Sequence, residues 1–313
     1  MEVKIMSIKK NLIEVFKASK FTLKEAYDAN PDMPKESVRA RIYENLGTAF
    51  RKIDRGIYMT IAEDAIVIEG SGRNLRCLED SSIDCIITDH PWNDTVSTKG
   101  GNRNFASYPV FNYEQCDFDE KARVLKEGSF LCEVIPAESE SNFDYLYQIK
   151  KMAQAAGFQY YAKVAWKKGT FVSNTGRKAK NTEDIMIFSK GKPRALKPDK
   201  QRGLDENGNP TRYMSGTNGM LPTCFDVQPV PKKEIISQSE KPTALFEQLL
   251  EYVTLPGEIV LDQFAGSGAV GEACIKKNRK AILVELVKEK ATNIAKRLHA
   301  VMIDEVLIKK MAV

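Results

Sequence analysis

Two short apolar runs, far apart in the chain, each stop at an acid. Ile86-Ile87-Thr88 runs into Asp89, and Ile259-Val260-Leu261 runs into Asp262, with small or turn-forming residues after each acid. Such runs read as buried strands. A third, Ala281-Ile282-Leu283-Val284, ends at Glu285. In an open α/β sheet, ligands bind just past the carboxyl ends of the strands. The pattern therefore predicts two chemical stations on one sheet edge. The first 62 residues carry a different rhythm. Helices are predicted over 12–18 (Ile13, Val15 and Phe16 apolar), over 24–29 with Thr22 as cap, and over 35–46. In the last of these, Val38, Ile42 and Leu46 share a face at i, i+4, i+8. Strands over 49–53 and 56–61 close into a hairpin around Asp54-Arg55-Gly56. The stretches 93–113 and 190–240 show no periodicity, and Gly70-Ser71-Gly72 reads as a turn. A polar loop as long as 93–113 inside a compact domain is usually a lid or disordered.

Composition narrows the class. A chain of 313 residues, 42% hydrophobic and 28% charged, fits one large α/β domain plus something small. No apolar stretch reaches membrane-spanning length, and the N-terminus lacks a signal-peptide pattern, so no membrane partner is expected. Six scattered cysteines and two histidines give neither metal-ligand spacing nor a disulfide framework; no metal site and a reducing, cytoplasmic setting are expected. Charge is uneven. Residues 1–62 hold 12 Lys/Arg against 8 Asp/Glu, and residues 163–202 hold 12 against 3, although the whole chain is only +5. Clustered positive charge beside a neutral-to-acidic body is the footprint of phosphate contact, a solvated basic face being the plainer alternative.

The second station has the form of a nucleotide-cofactor loop. Gly266, Gly268 and Gly271 open a predicted helix carrying Ala273, Cys274 and Ile275, and glycines at such a bend allow close approach to backbone N–H groups. Glu285 ends the next strand, where a Rossmann-like site places the carboxylate that holds ribose hydroxyls. Phe264 is a candidate to pack beside an adenine ring. From the glycines and the acid alone, a nicotinamide enzyme remains an alternative.

With these residues laid out, the chain resembles the amino-group DNA methyltransferases that use S-adenosyl-L-methionine. Asp89-His90-Pro91-Trp92 is similar to their catalytic Asp-Pro-Pro-Tyr tetrapeptide, and Asp262-Gln263-Phe264-Ala265-Gly266-Ser267-Gly268 to their Asp-Pro-Phe-x-Gly-Ser-Gly cofactor loop. The catalytic motif precedes the cofactor loop, the circularly permuted order of the family's β group. Arg123-Val124-Leu125-Lys126-Glu127-Gly128-Ser129, the run from Asn181 to Lys190, and Lys241-Pro242-Thr243-Ala244-Leu245 resemble further family segments in the matching order. The likeness runs from about Ile66 to Leu298. The N-terminal pattern of three helices and a hairpin resembles a winged helix. The fold class expected is thus α/β: a Rossmann-like methyltransferase domain with permuted motif order (63–313), preceded by a small α+β winged-helix domain (1–62).

The resemblance implies methyl transfer from S-adenosyl-L-methionine to an amino nitrogen in double-stranded DNA. Adenine N6 is favoured by the leading aspartate, with cytosine N4 and RNA adenine as alternatives. The target base is swung out of the duplex, because the stack hides the attacking atom. The Asp89 carboxylate and the His90 carbonyl would each accept a hydrogen bond from the amino group, Trp92 would stack on the base, and Pro91 belongs to the same catalytic motif. Asp262 and Gly266 would face the methionine part of the cofactor, with Gly268, Phe264, Glu285, Lys241 and Thr243 completing its surroundings. His90 and Gln263 both stand where the family usually has proline; a histidine does not fix φ, and its side chain is assigned no acid–base role. The third N-terminal helix would enter the major groove with Lys35 and Arg39, with Arg51 and Arg55 near phosphates. Arg103, Arg177, Lys178, Arg194 and Arg202 are the further nucleic-acid candidates, and 190–240 is the expected target-recognition segment. Family members of this order often pair, so a homodimer is compatible. With no nuclease-like module, a solitary prokaryotic or phage-encoded modification enzyme is expected. A DNA-binding regulator with a vestigial methyltransferase domain is the reading from a different class.

Overall fold

The computed structural model describes residues 7–16, 20–46, 49–60, 64–92, 111–169, 181–196, 220–231, 233–235 and 240–304. The chain begins with α1 (Ile8–Phe16), β1 (Lys20–Thr22), α2 (Leu23–Asp28), α3 (Lys35–Glu44), β2 (Phe50–Asp54) and β3 (Ile57–Thr60). Thr22 caps α2. Its hydroxyl accepts the Glu25 N–H at 3.3 Å while the Glu25 carboxylate takes the Thr22 N–H at 2.7 Å. Three helices and a hairpin thus lie close to where periodicity puts them, and β1 is an extra strand that pairs with β3. The helix predicted over 35–46 stops earlier, at Glu44, and Leu46 instead bridges to Phe50. Val38 and Ile42 pack with Leu12, Phe21, Phe50 and Tyr58 in a closed core. That burial leaves Lys35, Arg39 and Tyr43 of α3 exposed.

The remainder is built from β4 (Ala65–Glu69), β5 (Ile83–Thr88), α4 (Gln115–Val124), β6 (Leu125–Pro136), α5 (Phe143–Ala155), β7 (Phe158–Lys167) and β8 (Thr182–Lys190). It continues through β9 (Cys224–Asp226), α6 (Thr243–Val253), β10 (Ile259–Asp262), α7 (Ala269–Lys276), β11 (Lys280–Glu285), α8 (Lys288–Leu298) and β12 (Val301–Asp304). These strands form one nine-stranded sheet in the order β12-β4-β11-β10-β5-β6-β8-β7-β9. From β12 to β6 all neighbours run parallel; β8 is antiparallel to both β6 and β7, and β9 runs parallel to β7.

The sheet is covered on both faces, which is why its central strands are apolar throughout rather than alternating. All six residues of β5 are buried. Cys85 and Ile87 pack on one side with α6, α7 and α8 through Leu249, Ala273 and Ile294. Ile83 and Ile86 pack on the other with α4 and α5 through Phe118 and Ile149. The chain leaves β5 through α4 towards β6, and leaves β10 through α7 towards β11, so it diverges between two adjacent strands. Such a divergence opens a crevice at the carboxyl ends of both strands. Among the described residues, no helix is long and apolar enough to cross a membrane.

Candidate active site

Both acids read from the sequence meet in that crevice. The parallel register Val260↔Cys85 and Leu261↔Ile86 sets the ends of β10 and β5 side by side. Thr88 Oγ1 donates to Asp262 Oδ1 at 3.0 Å, and the Phe264 N–H donates to the same oxygen at 3.1 Å. Asp262 is 4% exposed. Burial pushes its carboxyl up to about 7 against these hydrogen bonds, and the negative charges of Asp89 and Glu285 add to the rise.

Asp89 begins the turn after β5. Its Oδ2 lies 2.7 Å from Lys241 Nζ, while Oδ1 is buried with no hydrogen-bond partner among the described residues. Burial raises this carboxyl, and the Lys241 ammonium opposes the rise. Lys241 also reaches Glu183 at 3.3 Å, and Glu183 in turn holds Lys168 at 2.6 Å. Placed by the resemblance near the cofactor, Lys241 is thus ion-paired to the catalytic candidate itself. The His90 carbonyl accepts the Trp92 N–H at 2.8 Å, and the Pro91 carbonyl accepts the Phe111 N–H at 3.3 Å. Trp92 is half-buried.

The glycine loop follows β10. Gly268 has φ +83° and caps α7, and a Cβ there would lie 2.8 Å from the Ile294 side chain, so only glycine fits without displacement. The Gly266 N–H donates to Glu285 Oε2 at 3.0 Å, and the Val287 N–H donates to Oε1 at 3.0 Å. Thr243 donates to Glu272 at 3.0 Å. Phe264 packs on Phe111, with ring centroids 5.4 Å apart.

Several contacts around the site were not read from the sequence. Gln263, 1% exposed, donates through Nε2 to the Gly72 carbonyl at 2.7 Å. The 70–74 turn therefore lies against the cofactor loop, and its signal was the Gly70-Ser71-Gly72 cluster read only as a turn. Arg297 of α8 holds the Ser267 carbonyl at 2.9 Å and pairs with Glu240 at 2.8 Å and with Glu272. Behind Asp89 lies a buried polar cluster. Lys121 and Glu133 are fully buried and ion-paired, Tyr113 donates to Glu133 Oε2 at 3.0 Å, and the Lys121 ammonium sits 3.7 Å from the Tyr113 ring centroid. A glutamate inside the apolar run of β6 was the available signal.

One expectation is corrected. Arg194, a nucleic-acid candidate, is engaged inside the fold: its Nη2 donates to Glu258 Oε2 at 2.7 Å and to the Val253 carbonyl at 2.5 Å. A guanidinium committed to a carboxylate and a carbonyl is not presented to a phosphate. Lys35, Arg39 and Arg55 are exposed; Lys35 lies over the Tyr27 ring and Arg39 over the Tyr43 ring, 5.8 and 5.5 Å from the centroids. Arg51 lies on β2. Arg103, Arg177, Lys178 and Arg202, most of the 93–113 loop, and much of 190–240 lie outside the described residues.

The donor set fits a cationic nucleoside cofactor. Asp89, Asp262, Glu183 and Glu285 converge on the crevice, and burial together with mutual repulsion already raises Asp262 and Asp89. Gln263 Oε1 is a further buried acceptor without a hydrogen-bond partner among the described residues. Negative charge of this kind is relieved by a ligand carrying positive charge.

Comparison with known proteins agrees. A family model described as DNA methylase matches residues 83–297. The type II methyltransferase M.HpaI of Haemophilus parainfluenzae is 28% identical over 231 residues, 72% of this chain and 71% of that protein. The orphan methyltransferase M.BamHII of Bacillus amyloliquefaciens is 27% identical over 241 residues, 67% of this chain and 86% of that protein. Among solved structures, the M1.HpyAVI–SAM complex superposes with a TM-score of 0.52 at 20% identity, covering 75% of this chain and 98% of that one. PvuII DNA methyltransferase, cytosine-N4-specific, gives a TM-score of 0.54 at 16% identity, covering 80% and 91%.

Proposed function

Because the chain belongs to the DNA methylase family of N6/N4 amino-group methyltransferases, which take their methyl from S-adenosyl-L-methionine, we propose that it methylates adenine N6 in double-stranded DNA. The observation that carries this reading is the meeting of Asp89 and Asp262 at the ends of two adjacent parallel strands.

Bound S-adenosyl-L-methionine supplies an electrophilic methyl group on a sulfonium. Asp262, the Gly266–Gly268 loop and Glu285 are the residues that would hold it, with Phe264 and Gln263 at its margin. The remaining work falls to the 89–92 turn. An exocyclic amine is a weak nucleophile, because its lone pair is delocalised into the ring. Acceptors that hydrogen-bond its two N–H groups localise that pair and aim it. Asp89 Oδ1 is one such acceptor. The His90 carbonyl is the other: the Trp92 N–H fixes its direction through one lone pair and leaves the second. Lys241 favours the ionised form of Asp89 that this task needs. The half-buried Trp92 is suited to stacking on a base turned out of the duplex.

For holding the duplex, the exposed Lys35 and Arg39 of α3 and Arg55 of the following hairpin support a DNA-facing N-terminal module of winged-helix type. Residues 190–240 supply target recognition in this reading. The leading aspartate of the tetrapeptide supports adenine. Cytosine N4 is the second reading, favoured by the similarity to a cytosine-N4-specific enzyme.

The test is transfer of labelled methyl from S-adenosyl-L-methionine to unmodified DNA, with product nucleosides identified by mass spectrometry. N6-methyladenine from the wild type and none from Asp89→Ala is the expected result. N4-methylcytosine would replace the base and keep the chemistry. Absence of transfer, with DNA and cofactor both bound, would favour a DNA-binding regulator.

A further inference from the structure

His90 occupies the position where the resembled tetrapeptide has a proline, whose ring fixes φ. Here the backbone lacks that constraint, but the side chain is far from idle. It is 1% exposed. Its ring lies against Tyr113 with centroids 4.0 Å apart, and its Nε2 is 2.7 Å from the Tyr145 hydroxyl of α5. That hydroxyl accepts the Tyr113 N–H at 3.1 Å. The hydroxyl and Nε2 share one hydrogen bond, whose donor is set by the ring tautomer. Nδ1 faces Glu133 Oε2 at 4.0 Å, and Glu133 is itself held by Lys121 and Tyr113. Burial and the nearby Lys121 charge hold His90 well below the ordinary histidine range, so the ring is neutral.

We infer that His90 is a positioning residue: its side chain, tethered through Tyr145 and backed by the Lys121–Glu133–Tyr113 cluster, fixes the carbonyl that proline fixes elsewhere. The constraint has moved from the backbone ring to a side-chain anchor. Gln263, the chain's other replacement of a family proline, behaves alike, since its buried amide ties the cofactor loop to Gly72. The inference rests on the reading of 89–92 as the methyl-transfer turn.

The decisive perturbation is Tyr145→Phe, which removes only the tethering hydroxyl, made in both the wild-type and His90→Pro backgrounds. In the wild type, kcat for DNA methylation should fall about tenfold or more, with KM for both substrates within twofold. In the His90→Pro background, where proline supplies the constraint, the same change should cost less than twofold. An equal loss in both backgrounds would mean a merely structural hydroxyl and overturns the inference. Hydrogen exchange of the peptide covering 86–92 provides a readout independent of activity and of whether His90→Pro folds. Faster exchange at the Trp92 amide in Tyr145→Phe is expected; unchanged exchange overturns the tether. A wild type that transfers no methyl would refute the proposed function instead, and the exchange result would still decide the tether.

Discussion

Lys241 is the residue whose removal tests the electrostatics of the site most directly. Its ammonium lies 2.7 Å from Asp89 and 3.3 Å from Glu183, and the residue is 8% exposed. Substituting methionine keeps the stem and deletes the charge. The two acids then differ. Glu183 retains Lys168 at 2.6 Å, whereas Asp89 has no other ion-pair partner among the described residues. Asp89 is therefore the carboxylate that takes up a proton, and a protonated carboxyl no longer offers the same acceptor. Removing one partner from a buried ion pair costs about 3–5 kcal/mol. Where that cost falls on the ionised Asp89 that the transfer step uses, about 3 kcal/mol at about 1.4 kcal/mol per tenfold sets an upper limit of roughly 100-fold in rate. Lys241→Met should thus lower single-turnover methyl transfer at neutral pH by about tenfold or more, up to that limit. The sign of the pH effect follows. Loss of the ammonium raises the Asp89 carboxyl further, so the acidic limb of the pH–rate profile moves to higher pH and part of the rate returns in alkali. Lys241→Arg should recover most of the rate. A Lys241→Met enzyme within threefold of wild type, with its limb unmoved, would refute the argument. A raised KM for the cofactor at unchanged kcat would assign Lys241 to cofactor binding instead.

With its carboxyl pushed up to about 7, Asp262 is ionised above that pH and neutral below it. Affinity for the cationic cofactor should weaken by about tenfold per pH unit below 7, a slope that titration calorimetry should find absent in Asp262→Asn. In the unliganded protein the same raised carboxyl makes the native state bind the extra proton, so its contribution to stability declines as pH rises through about 7, visible in thermal melts. A methyl group added at Gly72 would lie 1.9 Å from the Gln263 carbonyl oxygen and 2.7 Å from the Phe264 ring. Gly72→Ala should cost about 1–3 kcal/mol and weaken cofactor binding together with Tm; an unchanged melt would argue against the packing described. Lys35→Ala and Arg39→Ala should weaken binding to unrelated duplexes alike, each reducing the salt-dependence slope by about one, as read by fluorescence anisotropy across a salt series.

Asp89 and Asp262 were legible because both end apolar runs, and burial on two faces is written directly into composition. Glu285 and the glycine loop were legible for the same reason. Lys121, Glu133 and Tyr145 were not, because their meaning lies in a juxtaposition of α4, β6 and α5 that no local pattern records. Arg194 shows the converse error. In a basic stretch it read as a phosphate contact, yet its partners Glu258 and the Val253 carbonyl lie about 60 residues on, where local reasoning does not reach. His90 was read through what histidine fails to do to φ. The structure shows what its side chain does instead. Likewise, Gly70-Ser71-Gly72 was recognised as a turn, but the loop it supports became visible only in three dimensions.

The strand order has a consequence for the time at which this catalyst comes into being. β4 and β5 emerge early from synthesis, but β4 pairs only with β11 and β12, and β5 must wait for β10 on one of its sides. Thr88 and Asp262, the pair that joins the two stations, are 174 residues apart. A nascent chain that has already exposed the 89–92 turn therefore has no cofactor loop to work with. Contacts of such long range close late and slowly. The core of α1–α3 and β1–β3, by contrast, is made of contacts within residues 8–58 and waits for none of these strands. Competence for methyl transfer arrives only when the last strands dock.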